Sequence, residues 1–144
     1  GIINDVNETD LESLYDIGLN LGLAFQIQDD YLDLFGDQNL IGKKIGGDII
    51  KRKKTVMYHV FKEISNEDDS LTLDQLYNDS NSDDGSKIQK VFELFKNANV
   101  DVKTKDLVKN YSTKAINSLE NLNIENDKKS ELIQICNKLI SRDF

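Results

Sequence analysis

The chain has no proline and no tryptophan, and only one cysteine and one histidine among its 144 residues. The lone cysteine, Cys136, excludes an internal disulfide. Because the chain also has only one histidine, His59, it lacks the ligands of the common zinc sites. No apolar run approaches the roughly 18 residues that a membrane-spanning helix needs. Any metal that the chain binds is therefore expected to have oxygen ligands.

Basic residues are outnumbered by acidic ones, 18 to 26, which gives a formal net charge of −8 at pH 7. Nucleic-acid backbones and anionic membranes repel a net anion, so we expect neither as a main partner. Residues 1–5 have no basic start and no apolar segment, which predicts no signal peptide and a cytoplasmic protein. The length fits one domain over residues 1–144.

Glycine is concentrated early in the chain, with six of the eight glycines between Gly18 and Gly47. The remainder has few turn residues and is expected to form helices joined by polar turns, as in an all-α protein. Apolar spacing predicts helices over residues 10–36, 55–64, 87–98, 102–122 and 127–140. Residues 36–54 fit neither helix nor strand. Residues 65–86 are acidic and rich in asparagine and serine, which predicts a mobile stretch with at most one turn.

The first predicted helix has a face that is small as well as apolar. Leu11, Tyr15, Gly18 and Gly22 recur at helical spacing, and we expect this face to point inward. A glycine inside a helix costs about 1 kcal/mol relative to alanine. The two glycines therefore need a packing reason, such as the close approach of another helix.

Three aspartates lie near the end of this helix, in the segment Phe25-Gln26-Ile27-Gln28-Asp29-Asp30-Tyr31-Leu32-Asp33. Asp29 and Asp33 share a helix face, and Asp30 lies beside them. The helix dipole disfavours anions at this end, so local stability does not explain the cluster. Carboxylate oxygens suit Mg²⁺, whose shell is usually completed by water and substrate phosphate. For this motif alone, a solvated acidic face remains the alternative.

A glycine- and lysine-rich segment follows, with Gly42, Lys43, Gly46, Gly47 and Asp48 before the basic run that ends in Lys53 and Lys54. Glycine lets a backbone approach a phosphate, and lysine supplies a positive point charge. Alone, the segment could be a flexible connector. An acidic cluster followed by such a loop is what a Mg²⁺–diphosphate complex requires.

Together these residues resemble one protein family. The segment from Phe25 to Asp37 looks like the second aspartate-rich motif of the trans-isoprenyl diphosphate synthases (polyprenyl synthetases such as farnesyl and geranylgeranyl diphosphate synthase). The pattern Gly42-Lys43-x-x-Gly46-x-Asp48 and Lys53-x-Thr55 resembles the block that follows it. Similarity is strongest over residues 21–55. The resemblance implies an all-α bundle of the isoprenoid synthase type, of which this chain is the C-terminal half only.

The resemblance also implies an activity, the Mg²⁺-dependent head-to-tail condensation of isopentenyl diphosphate with an allylic diphosphate. By position, Asp29 and Asp33 would be Mg²⁺ ligands, with Asp30 nearby as a third metal-site residue. Asp29 and Lys43 would be the catalytic residues. The residues that would bind or line the substrate are Phe25, Gln26, Lys43, Asp48 and Lys53.

The family's other aspartate-rich motif and its residues for isopentenyl diphosphate are not in this sequence, so we expect the chain alone to be inactive. The alternative is a non-catalytic subunit of the same fold that regulates or dimerises with an active partner; the full-length enzyme is expected to be a homodimer. Arg52 stands where many members have glycine, and Met57 where many have proline, which predicts a different path for this loop. Thr55 is expected to cap the next helix. Half of a bundle should also leave the Gly18/Gly22 face exposed.

Overall fold

In a computed structural model, residues 8–36 and 45–141 are described, and the secondary structure within them is entirely helical. This confirms the all-α prediction. The described segments contain the helices α1 (Glu8–Phe35), α2 (Gly47–Ile50), α3 (Val56–Ile64), α4 (Glu67–Asn78), α5 (Asp84–Asn97), α6 (Val100–Glu120) and α7 (Asn126–Ser141). Within the described parts of the chain, no helix is both long and apolar enough to cross a membrane.

The five predicted helices correspond to α1, α3, α5, α6 and α7. The largest displacement of an end is at α5, predicted from residue 87 and observed from Asp84. Asp83 explains this earlier start because its carboxylate accepts a hydrogen bond from the Ser86 N–H at 3.0 Å and caps the helix.

The described residues divide into two compact units, the first comprising residues 8–26 and 107–141, the second residues 27–36 and 45–106. In the first unit, Ala115, Leu119, Leu122 and Cys136 are buried. Cys136 is thus the core residue that its apolar neighbours predict, and burial raises the pKa of its thiol. The Asp10 carboxylate accepts a hydrogen bond from the Asn123 N–H at 3.3 Å.

The first turns of α1 expose the face that the sequence predicted to point inward. Tyr15 is 70% exposed and Leu11 and Leu19 are each 49% exposed. In the structure this face points to solvent, as expected for half of a bundle.

The second unit has its own hydrophobic core, built by α2 to α5 and the ends of α1 and α6. Phe61 and Phe95 lie at its centre with ring centroids 5.6 Å apart. The other buried members are Leu34, Ile49, Met57, Tyr58, Leu73, Tyr77, Val91 and Val100. Burial of these large side chains is the main source of stability for the unit.

The prediction of a mobile stretch over residues 65–86 is wrong, because the segment contains the twelve-residue helix α4. The Asn66 side chain caps it by accepting from the Asp69 N–H at 2.8 Å. Acidic residues in the first turn interact favourably with the helix dipole. Leu73 and Tyr77, one turn apart, are both buried in the core. Two apolar anchors and a cap therefore form a helix where the average composition predicted none.

A polar network joins α3 to α4. The Tyr58 hydroxyl donates to Asp74 Oδ1 at 2.6 Å, and Lys62 Nζ donates to Asp74 Oδ2 at 2.6 Å. The hydrogen bonds from Lys62 and Tyr58 lower the pKa of the Asp74 carboxyl. The bond to Asp74, together with burial, raises the pKa of Tyr58 to about 12. Both shifts favour the bonded forms, anionic Asp74 and neutral Tyr58.

These shifts predict how stability depends on pH. The pKa of Tyr58 is about 10 in the unfolded chain and about 12 in the folded one. Tyr58 therefore contributes stability that is complete below pH 10 and is lost as the pH rises through 12. Asp74 contributes stability above its unfolded pKa of about 4 that is lost as the pH falls through its lower folded value. We expect Tyr58→Phe to lower the free energy of unfolding by about 1 kcal/mol at pH 7 and to flatten its alkaline decline. Urea unfolding from pH 7 to 11 measures both effects, and an unchanged decline would contradict the assignment.

Candidate functional site

The candidate site begins where the last turn of α1 meets the turn before α2. The Gly46 N–H donates to the Asp33 carbonyl at 2.7 Å, and the Asp48 N–H donates to Asp33 Oδ2 at 3.0 Å. Asp33 is buried by these contacts. Two segments well separated in sequence are thereby fixed on one carboxylate, with Asp48 beside it.

Gly46 is required by the conformation of this turn. Its φ is +87°, in the left-handed region that favours glycine. A Cβ at this position would lie 2.6–2.8 Å from three side-chain atoms of Ile88 on α5. The sequence predicted glycines here for approach to phosphate; in the structure, Gly46 lets the chain turn beneath Ile88 and reach Asp33.

The second tie in the site is an ion pair between Asp30 and Lys53. Lys53 Nζ lies 3.2 Å from Asp30 Oδ1, and the lysine side chain is 51% exposed whereas the carboxylate is buried. The hydrogen bond to Asp30 and its charge raise the pKa of Lys53, and the charges of Asp48 and Asp33 add to the shift. The lysine therefore stays cationic while half of it faces solvent.

Asp29 differs from its two neighbours. Its side chain is exposed. No ion pair or hydrogen bond of its side chain falls within the described residues, where Asp30 and Asp33 are both engaged. No group of three His, Cys, Asp or Glu side chains in the described residues is arranged to hold a metal ion. Mg²⁺ needs only one or two carboxylates when phosphate oxygens complete its shell. Asp29 and the remaining oxygen of Asp33 are oxygen donors of that kind.

The other predicted site residues are placed as follows. Gln26 is exposed and Phe25 is half-buried, both on α1 about one turn before Asp29. Lys43 falls within residues 37–44 and lies outside the described residues. The structure thus brings Asp30, Asp33, Asp48 and Lys53 together by direct bonds. The association of Phe25, Gln26 and Lys43 with them stays a prediction.

Two residues in the loop after Asp48 differ from what their residue types suggest. Arg52 has φ +59°, in the left-handed region that favours glycine, and glycine is the residue expected at this position in many family members. Thr55 occupies the N-cap position of α3, but its side chain makes no capping hydrogen bond. Its Oγ1 is buried without a partner in the described part of the chain. The prediction of a side-chain cap by Thr55 is therefore wrong, because the hydroxyl does not bond to the N–H groups of the first helical turn.

The sequence model of the polyprenyl synthetase family matches residues 1–95, well over half of the chain. The chain belongs to the polyprenyl synthetase family. Its relatives include a geranylgeranyl diphosphate synthase of Saccharolobus solfataricus, 32% identical over 88% of the chain. The geranylgeranyl pyrophosphate synthetase from Pyrococcus horikoshii Ot3 matches 99% of the chain with a TM-score of 0.86 and 30% identity. A polyprenyl synthase from Caulobacter crescentus CB15, solved with calcium and isoprenyl diphosphate, matches 96% with a TM-score of 0.81 and 28% identity.

The chain is much shorter than these polyprenyl synthetases. It spans 37% of the S. solfataricus protein and 42% of each of the P. horikoshii and C. crescentus chains. These matches confirm the fold of the isoprenoid synthase type and the family resemblance. They also mean that more than half of each relative has no counterpart here.

Sequence reasoning missed Ile88 as a residue of the site. It follows Gly46 by 42 positions and belongs to a helix with no chemical motif, and only the left-handed turn brings the two together. Tyr77 on α4 was missed as well. Burial raises the pKa of Tyr77, and the charges of Tyr58, Asp48 and Asp33 add to the effect. Helix α4 was not predicted, so nothing in the sequence pointed to this neighbour.

Proposed function

We propose that this chain supplies one side of the metal–diphosphate site of an isoprenyl diphosphate synthase. The whole enzyme would condense isopentenyl diphosphate with an allylic diphosphate, head to tail and with Mg²⁺. The observation that carries the proposal is that two bonds join the end of α1 to the segment of Asp48 and Lys53. The Asp48 N–H donates to the Asp33 carboxylate, and Lys53 donates to the Asp30 carboxylate. The free oxygen of Asp33 and the exposed Asp29 on the same helix face, with a solvent-facing cation beside them, suit a metal–diphosphate complex.

Each residue has a distinct task in this proposal. Asp29 and Asp33 would hold Mg²⁺, whose chemistry here is to neutralise the departing diphosphate. The Asp48 N–H fixes the orientation of the Asp33 carboxylate. Asp30 holds Lys53 at the site, where its exposed ammonium is available to phosphate oxygens. Lys43 would donate to the allylic diphosphate.

Phe25 and Gln26 would line the cavity beside the allylic group and keep water from the developing cation. The chain spans about two fifths of its relatives. We propose that the residues for isopentenyl diphosphate belong to the part that it does not span, and we expect this chain alone to be inactive. We also propose that the complete enzyme is a homodimer. A non-catalytic subunit of the same fold is the competing function, and the experiments on Asp29 and Asp33 separate the two.

We expect Asp29→Asn to weaken Mg²⁺-dependent binding of a bisphosphonate, a diphosphate mimic, by at least about tenfold. The reason is that the substitution removes one full negative charge from the ion's ligands, and a charge-assisted contact is commonly worth 1.5–3 kcal/mol (roughly tenfold or more). Isothermal titration of the chain with the bisphosphonate, with and without Mg²⁺, measures the change.

Asp16→Asn is the matched control, because Asp16 is also exposed on α1 and the charge change is the same. It should leave the titration unchanged. Equal Mg²⁺-dependent binding by the wild type and Asp29→Asn would remove Asp29 from the metal site. Absence of binding by all three chains, repeated with the full-length protein, would overturn the enzyme proposal in favour of the non-catalytic subunit.

A further inference from the structure

Helix α2 ends in a tight turn that reverses the chain between Asp48 and Lys53. The Arg52 N–H donates to the Ile49 carbonyl at 3.0 Å, and the Lys53 N–H donates to the Asp48 carbonyl at 2.8 Å. Two bonds of this pattern form a Schellman motif, in which the first residue beyond the C-cap is left-handed and is usually glycine. Arg52 occupies that position with φ +59°. The turn brings the chain back so that the Lys53 ammonium contacts Asp30.

The turn requires a left-handed backbone at position 52, but it does not require an arginine side chain. Glycine adopts this conformation without a steric penalty, whereas an L-residue with a Cβ does not. The arginine therefore makes the turn less stable than glycine would. Residues other than glycine with positive φ are uncommon, and strained backbone of this kind clusters at functional sites. The reason for Arg52 is thus to be sought in its guanidinium group.

The surroundings of Arg52 are basic, although the formal net charge of the chain is −8. The four consecutive basic residues that begin at Lys51 are all exposed. Two of them are engaged, since Lys53 is held by its ion pair and Lys54 Nζ lies 5.4 Å from the centre of the Tyr58 ring. For the side chains of Lys51 and Arg52, no hydrogen bond, ion pair or ring contact falls within residues 8–36 and 45–141. The guanidinium is therefore a solvated cation one residue away from the lysine of the candidate site.

The chemistry of a guanidinium group suits a phosphate ligand. Its planar fork donates two parallel N–H groups to two oxygens, which the ammonium of a lysine cannot do. We propose that Arg52 is a further diphosphate-binding residue of this site, pairing with phosphate oxygens beside Lys53. This inference rests on the proposed function and adds a residue to it. It also explains why a position whose backbone favours glycine holds an arginine that costs stability.

The test is a titration of the full-length protein that contains this segment with the bisphosphonate and Mg²⁺. Arg52→Gln removes the charge but retains the backbone strain, and we expect it to weaken binding by about fivefold, the loss of one exposed charge-assisted contact. Arg52→Gly should weaken binding equally and raise the melting temperature by about 2 °C, because glycine relieves the strain. Weaker binding by a more stable protein separates a contact with the ligand from a structural role. A fall in the melting temperature of Arg52→Gly would contradict the strain on which the proposal depends.

Lys51→Gln is the matched control, because it removes one positive charge from the neighbouring exposed residue, whose φ of −79° is ordinary. It should change the affinity by less than about twofold. An equal loss of affinity in Lys51→Gln and Arg52→Gln would overturn the proposal in favour of a general effect of basic charge. Wild-type affinity in both Arg52 variants, with binding lost in Asp29→Asn, would overturn it and leave the proposed function intact. Absence of Mg²⁺-dependent binding by the wild-type protein would overturn both.

Discussion

Replacing Gly46 with alanine should lower the free energy of unfolding by about 3 kcal/mol. Two costs add. An L-residue forced into the left-handed region, here at φ +87°, costs about 1–2 kcal/mol. The new Cβ would also lie within 2.8 Å of three atoms of Ile88, two of them (Cγ1 and Cγ2) bonded to its branching Cβ, and overpacking of this kind costs about 1–3 kcal/mol. Ile88 packs against the core, so it has little freedom to withdraw.

Gly47→Ala is a closely matched control. A Cβ there would meet only Asp33 Oδ1 at 3.5 Å, which is ordinary contact, and the residue is the first of α2. We expect a change within about 0.5 kcal/mol. Urea denaturation of Gly46→Ala, Ile88→Ala and the double variant would separate the two costs, since removing Ile88 relieves the overlap but not the backbone strain. A Gly46→Ala protein as stable as Gly47→Ala would show that the turn is not held as described.

The second large effect concerns Asp33. In a full-length synthase that contains this segment, Asp33→Asn should reduce kcat/KM by about 10³-fold while leaving folding nearly intact. The amide oxygen can still accept the Asp48 N–H, so the turn is retained. In the proposed site the substitution removes one full negative charge from the ligands of the ion that would neutralise the departing diphosphate, and losing one such preorganised contact commonly costs 10²–10³-fold or more.

Asp33→Ala separates the two roles of this carboxylate. It should lose activity to the same extent and, in addition, about 1–2 kcal/mol of stability, because the Asp48 N–H loses its acceptor. Steady-state kinetics and thermal melts of both variants, with Asp16→Asn as the charge control, measure the difference. If Asp33→Asn retains wild-type kcat/KM, Asp33 does not act in catalysis and the non-catalytic subunit gains support.

Helices with continuous apolar spacing could be predicted from the sequence, and α1, α3, α5, α6 and α7 are confirmed. Helix α4 could not, because its composition is that of a polar loop and only Leu73, Tyr77 and the Asn66 cap specify it. The aspartates were found because like charges on one helix turn need an explanation. The bonds that join them to Asp48 and Lys53 depend on tertiary structure, and the spacing of residues along the sequence does not indicate them.

The conformation of single residues was the hardest to predict. Arg52 and Gly46 both have positive φ, but only glycine signals this in a sequence. Thr55 illustrates the opposite error, since its residue type is a good N-cap and its position is correct, yet its hydroxyl makes no capping hydrogen bond. Local preference fixes where a helix begins more reliably than which bonds its first residue makes.

Helix α4 has a consequence for how this lineage can change. Seven of its twelve residues are exposed, and six of these are glutamate, aspartate, threonine, glutamine or asparagine. The contacts that hold the helix are made by the two anchors, the cap and the Asp74 network, so substitutions at its exposed positions are expected to cost little stability. The chain can then diverge toward a sequence that looks disordered while its fold stays the same. Distant members of such a family would be recognised by their aspartates long after the helix behind them had become unrecognisable.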